Sequence, residues 1–469
     1  MSEGRRPENV LNTLKETFHF DHFYHYYRSY VPAAIIIGIV CGLFMVLFQI
    51  LIDTTITALS IIPVFIAPII GGLFSGLMIY IGYEEVKGSG ISMAIEMTHT
   101  PGAMRDSVAL TKTVATAISI GSGNPVGREG PAVLIGATIG NSIGRRLGFR
   151  DPSFLRVFLM MGSAAATAGI YKAPLGGALF ATEAPYRRDA RLGYFVPTVI
   201  AALTSYIVFV AFYFFAFGHD IEPLLGFDAS FELTIGDIPL LVFFSVICGV
   251  ISITFAGILM GSRNYFTIKL PDWADPIAGS ILACVIIFAV GFIVMDPALS
   301  IAGLGYNVIT LVATSSVPIL VLLALLAGKL LASSFVVGAR VSGGVLASSL
   351  FVGAMLGKIF GDLIAPGMST AYMVLGMGAV LAATTNTPVA TTVLMLEISR
   401  SFDLVIPLAL CVCISYLVSG GTSLYEGQKV CREDEDPDYY APINILPNIE
   451  LELRTDESNP IDVDPSSEE

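Results

Sequence analysis

Charged side chains divide this chain into uncharged runs of two lengths, and a water-soluble fold cannot hold them. The long runs cover residues 29–52, 54–83, 192–218, 238–262, 276–294, 297–328, 363–396 and 404–425. A helix crosses the hydrocarbon of a bilayer with about 20 apolar residues, so each long run can span, and the longest must also fold back. Shorter runs at 113–127, 130–144, 157–171 and 173–182 are each too short for a comfortable crossing. Glycine and proline punctuate them. Helices that stop at membrane depth survive only where protein or a water-filled cavity solvates their freed backbone groups, and such ends commonly build ion sites. The expectation is an all-α polytopic membrane protein with tilted and broken helices.

Composition agrees. Of the 469 residues 54% are hydrophobic and 13% charged, with a mean hydropathy of +0.76, whereas soluble domains carry about 25% charged residues. That excludes an ordinary soluble enzyme. The net charge of −13 is unevenly placed: residues 426–469 hold 14 acidic and 3 basic side chains, and the 396 residues from Tyr30 to Tyr425 hold only 38 charges. Residues 426–469, rich in Pro, Asp, Glu and Ser, read as an acidic, mostly disordered cytoplasmic tail. Residues 1–30 are polar and aromatic, carry no cleavable signal pattern and read as an interfacial N-terminal helix. Basic clusters at Arg5, Arg6 and Lys15, at Arg145 and Arg146, and at Arg187, Arg188 and Arg191 place those segments, and both termini, in the cytoplasm by the positive-inside rule. The membrane is then a plasma or inner membrane. The six cysteines form no metal-binding spacing and read as small buried hydrophobes.

The chain is also duplicated. Lys112, Gly121, Gly127, Gly136, Gly140 and Gly144 recur 217 residues later as Lys329, Gly338, Gly344, Gly353, Gly357 and Gly361. At an offset of 214, Pro174 and Glu183 recur as Pro388 and Glu397. A transmembrane domain of residues 31–425 therefore comprises halves of about 31–218 and 236–425, with the site expected at their interface.

The densest motif, GSGNPVGREGPAVLIGATIG at residues 121–140, opens a helix inside apolar sequence. Its free N–H groups and positive dipole end form an anion site. Glu129 stands in that first turn, where a carboxylate is favoured, and can compete with a bound anion as a gate; a plain capping role, or pairing with Arg128, is the alternative for it. A second turn, KGSGISMAIEM at residues 87–97, offers the Ser89 hydroxyl, although a GSG turn alone carries little information. A third, VVGARVSGGVLASSLFVG, is the repeat partner of the first, and its Val345 and Leu346 amides would point at the same centre from the other half.

These residues resemble the CLC family of chloride channels and chloride/proton antiporters over about residues 31–425. GSGIS at 88–92 is similar to the family's GSGIP, TKTVATAISIGSGNPVGREGP to its GKxxT…GxxxGREGP, KAPLGGALFATE to its NAPL…E helix, and GGTSLY at 420–425 to its late GGxxLY element. The resemblance implies two inverted-topology repeats and a homodimer with one anion pathway per subunit. It further implies chloride coordination by Ser89 with Gly90, by the Val345 and Leu346 amides and by Tyr425, with Glu129 as gate and proton acceptor.

Three departures matter. The family's GIFAP turn reads GVLAS at 344–348, which keeps the amides and loses the Phe and Pro. Ser92 replaces the Pro of GSGIP. Where many antiporters carry two adjacent glutamates, the second an internal proton relay, this chain has Glu183 followed by Ala184, so the relay position is vacant. Glu183 and its repeat mate Glu397 read as structural carboxylates.

N–H groups, one hydroxyl and one phenol replace an anion's hydration without a fixed positive charge, so release stays possible. Lys112 and Arg128 add a positive pore field. The transported ion is expected to be chloride, with protons as a second ion if transport is coupled. The reading is a voltage- or pH-gated chloride channel or weakly coupled exchanger. A fully proton-coupled antiporter is the alternative, and an organic-anion secondary transporter a distant one. An intramembrane serine hydrolase fails because none of His19, His22, His25, His99 and His219 lies in an apolar span of the second half to act as base. No organic cofactor, metal or nucleic-acid partner is expected, the lipid bilayer is the surrounding partner, and the chain is not an enzyme.

Overall fold

A computed structural model describes residues 20–102, 104–218, 224–225 and 227–432, with side chains from Tyr30 onward. Sixteen α-helices are present among the described residues, and they fall into two sets of eight that match in order. The first set is α1 (Phe20–Leu59), α2 (Pro68–Tyr80), α3 (Ile91–His99), α4 (Ser107–Gly121), α5 (Glu129–Arg146), α6 (Pro152–Tyr171), α7 (Pro174–Glu183) and α8 (Phe195–Phe217). The second is α9 (Ile238–Lys269), α10 (Asp275–Val294), α11 (Tyr306–Thr314), α12 (Ile319–Gly338), α13 (Leu346–Ile364), α14 (Ser369–Thr385), α15 (Pro388–Ser399) and α16 (Val405–Ser419). Eight candidate spans among the described residues are long and apolar enough to cross a membrane. No strand is present among the described residues, only isolated bridges.

Each half ends its sixth helix by the same device. Lys172 (φ 59°) and Asn386 (φ 57°) adopt the left-handed conformation that stops α6 and α14, and Pro174 and Pro388 then open α7 and α15 at the first helical turn, where a missing N–H costs nothing. The halves join reciprocally. Gly127 and Gly344, just before α5 and α13, form an antiparallel bridge with two N–H···O bonds of 2.7 Å. This two-fold exchange is the local signature of inverted repeats.

Glycines set the packing of the central helices. A methyl group on Gly136 or Gly140 of α5 would strike the carbonyl oxygens of Gly162 or Phe158 on α6, and one on Gly353 or Gly357 of α13 those of Gly376 or Tyr372 on α14. The duplicated glycines at four-residue spacing thus bring backbones into contact, as small residues do in membranes.

Four expectations need correction. Asp53 does not end the first span, because α1 runs through it to Leu59, with the carboxylate accepting from Gln49 Nε2 at 2.8 Å. The run 157–171 is not a half-crossing: α6 starts five residues earlier and is a full candidate span. Its internal charge, Arg156, is satisfied by the carbonyls of Thr98 (2.6 Å) and His99 (3.1 Å). The polar residues from Phe20 to Ser29 belong to the same helix as the first span rather than to a separate one; residues 1–19 lie outside the described residues. Finally, residues 426–432 are held in place: Glu426 pairs with Arg263 at 2.5 Å, and Arg187 N donates to Lys429 O at 2.9 Å. The expected acidic tail can begin only after them, and residues 433–469 lie outside the described residues.

Candidate functional site

The loops before α3, α5 and α13 meet at the junction of the halves. A methyl placed on Gly130 would lie 3.2 Å from Gly344 Cα and from Cβ and O of Ser89. Gly88 N donates to Arg340 O and Gly343 N to Gly88 O, both at 3.1 Å. Three helix N-termini therefore share one buried locus, each presenting first-turn amides that lack intrahelical partners. Gly90, the N-terminal boundary residue of α3, has φ 81°, a left-handed conformation that strongly favours glycine. Ser89 Oγ accepts from Ile91 N at 3.3 Å, a bond that does not use the hydroxyl proton. Val345 precedes α13 and Leu346 begins it.

Glu129 begins α5 and is 1% exposed. Its Oε1 accepts from Tyr306 Oη at 2.6 Å and lies 3.8 Å from Arg128 Nε, whereas its Oε2 has no partner. The buried phenol oxygens of Tyr171 and Tyr425 are also among those without a hydrogen-bond partner. Unpartnered buried polar atoms are costly, and Glu129 Oε2 is one of them at the start of α5. Glu426 N donates to Ser92 Oγ at 3.2 Å, which seats Tyr425 beside the start of α3.

On the other flank lies a cavity of about 1160 Å³, lined among others by Gln49, Asp53, Ser122, Lys172, Arg128 and Tyr306. Arg128 donates to Gln49 and sits 5.9 Å from the Tyr306 ring centroid. Glu129 is not on this wall; Arg128 and Tyr306 stand in front of it.

Lys112 and Lys329, read from the sequence as duplicated cations, are fully buried and fastened to backbone. Lys112 Nζ donates to the carbonyls of Val86 (3.0 Å) and Gly88 (2.6 Å), and Lys329 Nζ to those of Ile301 (3.0 Å) and Gly303 (2.6 Å). Each lysine shapes the loop that leads to a nine-residue helix, α3 or α11. Outside the helices, Asp272 bridges Lys87 (2.7 Å) and Arg340 (2.6 Å), and the hydrogen bond from Lys87, with that from Arg340, holds its carboxyl below the usual carboxylate range.

Glu183 accepts from the amides of Val389 (3.2 Å) and Ala390 (2.6 Å) at the start of α15. Glu397 accepts from those of Leu175 (3.0 Å) and Gly176 (2.7 Å) at the start of α7. Each carboxylate thus occupies the N-terminus of the other's helix, where negative charge is favoured. Charge-assisted bonds of this kind contribute about 1.5–3 kcal/mol. Glu397→Ala should lower the thermal unfolding temperature and leave the pH dependence of flux intact; a changed flux profile with unchanged stability would move Glu397 into the transport pathway. The neighbouring Ala184 is 4% exposed, and its carbonyl accepts from Gln428 Nε2 at 2.7 Å. Gln428 also bonds Ser423 (2.5 Å), Asn386 (3.2 Å) and Thr385 O (2.9 Å). None of these partners ionises.

The sequence reading missed Tyr306, Tyr171 and Gln49. One signal was available for Tyr306: Gly88 and Gly90 recur 215 residues later as Gly303 and Gly305, which places Tyr306 at the start of the helix that matches α3.

An inverted-repeat membrane bundle with helix N-termini turned on a buried carboxylate defines an ion-handling integral membrane protein, not an enzyme. The chain belongs to the voltage-gated chloride channel family, whose model matches residues 71–420. It is similar to an uncharacterized protein of Methanocaldococcus jannaschii (29% identity over 411 residues, 87% of this chain and 96% of that one). A putative ClcB-like chloride channel protein of Ralstonia nicotianae is 28% identical, covering 79% and 86% of the two chains. Among solved structures, a CLC-type fluoride/proton antiporter superposes with a TM-score of 0.75 at 21% identity over 87% of this chain and 99% of that one. A slow cyanobacterial Cl⁻/H⁺ antiporter does so with 0.71 at 20%, over 84% and 96%. These two likenesses are of fold.

Proposed function

We propose that the chain moves chloride across a membrane along a path from Ser89 and Tyr425, past Glu129, to the cavity lined by Arg128 and Tyr306. Glu129 is the gate and proton acceptor. The observation that carries this reading is the buried Glu129 carboxylate, one oxygen of which is unpartnered, at the start of α5 where the loops before α3, α5 and α13 meet. A carboxylate in such a place stands where an anion would bind. Ser89, Gly90, Val345, Leu346 and Tyr425 supply the donors for chloride. Arg128 supplies positive field at the cavity mouth, and the field of Lys112 and Lys329 reaches the path through the loops they hold.

Transport is uncoupled or weakly coupled, gated by voltage or pH. The neutral network around Ala184 supports this, since it offers no side chain to carry a proton toward Glu129 from that side. The mechanism requires no organic cofactor or metal. The protein works as a homodimer in a plasma or inner membrane, with both termini cytoplasmic and one pathway per subunit.

Reversal potentials of the reconstituted protein test the coupling. Under a tenfold proton gradient at symmetric chloride the potential should stay near zero. A displacement toward the proton equilibrium potential would establish the fully coupled antiporter instead, and absence of chloride flux would overturn the reading altogether.

A further inference from the structure

The duplicated loop–helix device does different work in its two copies. In the first half Lys112 fastens the loop, Gly90 turns it, and Ser89 is delivered to the anion locus. In the second half Lys329 fastens the loop at Ile301 and Gly303, and Gly305 turns it at φ 90°. Phe351, whose ring lies 5.3 Å from Lys329 Nζ, would be struck by any side chain at Gly305. What this copy delivers is Tyr306, the first residue of α11. Its phenol donates to Glu129 Oε1 at 2.6 Å, its ring packs under Arg128, and it lines the 1160 Å³ cavity that Glu129 does not reach.

We propose that Tyr306 is the latch of the Glu129 gate: its hydroxyl holds the carboxylate across the path, and opening toward the cavity requires that this bond break. The inference rests on the gating role proposed for Glu129. The charged and titratable groups in contact with the carboxylate are Arg128 from its own segment and Tyr306 from α11; Tyr171 at the end of α6, Tyr425 beyond α16 and Lys329 from α12 couple to it electrostatically at longer range. Among them Tyr306 makes the direct bond, while Tyr171 and Tyr425 have unpartnered hydroxyls. A phenol donor bonds a carboxylate more strongly than a neutral acid, so protonation of the gate would also loosen the latch. Tyr306 is a positioning residue, since it acts through Glu129.

The test is chloride flux from liposomes containing the full chain, measured between pH 4.5 and 8, for the parent, Tyr306→Phe, Glu129→Ala and the double variant. Y306F should raise flux at pH 7.5 by about tenfold and move the flux–pH profile about one unit toward higher pH, the equivalence that holds for a single proton. In the Glu129→Ala background the same change should do nothing. A Y306F profile that superposes on the parent's, or an equal increase without Glu129, overturns the latch while leaving the gate in place. A Glu129→Ala profile identical to the parent's overturns the gate itself. Should Y306F fail to accumulate, global incorporation of 3-fluorotyrosine, a more acidic and stronger donor, should move the parent's profile toward lower pH; no movement, or movement that persists in Glu129→Ala, counts against the latch.

Discussion

Glu129→Gln should abolish the pH dependence of chloride flux. If the proposed gate operates, closing follows ionisation of one carboxyl, so flux above the titration midpoint should fall by about tenfold per pH unit, the slope of a single proton. Glutamine keeps the size and one acceptor oxygen for the Tyr306 hydroxyl, yet it carries no charge at any pH. It therefore cannot compete electrostatically with chloride at the start of α5, where the dipole favours an anion. The variant should conduct at all pH values near the parent's acid-activated rate, and any proton coupling should vanish with it. Retention of the parent's pH slope would show that another group titrates.

The second large effect concerns stability. Gly140→Val should leave little folded protein, and so should the matching change Gly357→Val. In both places a side chain would meet a carbonyl oxygen of the facing helix, Phe158 or Tyr372, and backbone cannot step aside as a flexible side chain can. Overpacking a dense interior costs about 1–3 kcal/mol and sometimes more, against a total stability of about 5–15 kcal/mol. Gly257→Val on α9 and Gly291→Val on α10 are the controls, since a side chain there enters open space. Monodisperse yield after detergent extraction reads the difference. Equal yields for all four would mean that the helices are free to separate at no cost, contrary to the close contact described.

Of the candidate site, the sequence disclosed the backbone elements and the position of the Glu129 carboxylate. GREGP placed Glu129 at a helix start, and the duplicated glycines revealed the repeat; that they pack α5 on α6 and α13 on α14 through their backbones came from the structure. Misreadings arose where a charge was taken as a boundary. Asp53 and Arg156 lie inside helices because Gln49 and the carbonyls of Thr98 and His99 satisfy them. Lys112 was read as a field source, and the structure shows what its ammonium holds.

Sequence alone determined that the chain lives in a bilayer, that it is two copies of one unit, and that helix N-termini lie between the copies. Those properties follow from local patterns, the length of apolar runs, the offset of repeated residues and the dipole of a helix start, none of which needs a distant partner. Only the tertiary structure decided that Glu129 is held by Tyr306 from 177 residues away, that Glu183 and Glu397 cap each other's helices, and that Ala184 borders a neutral network. Such contacts depend on where the two-fold exchange brings the halves together. A hydrogen bond is sensitive to tenths of an ångström, and the spacing of residues along a chain does not specify position that finely.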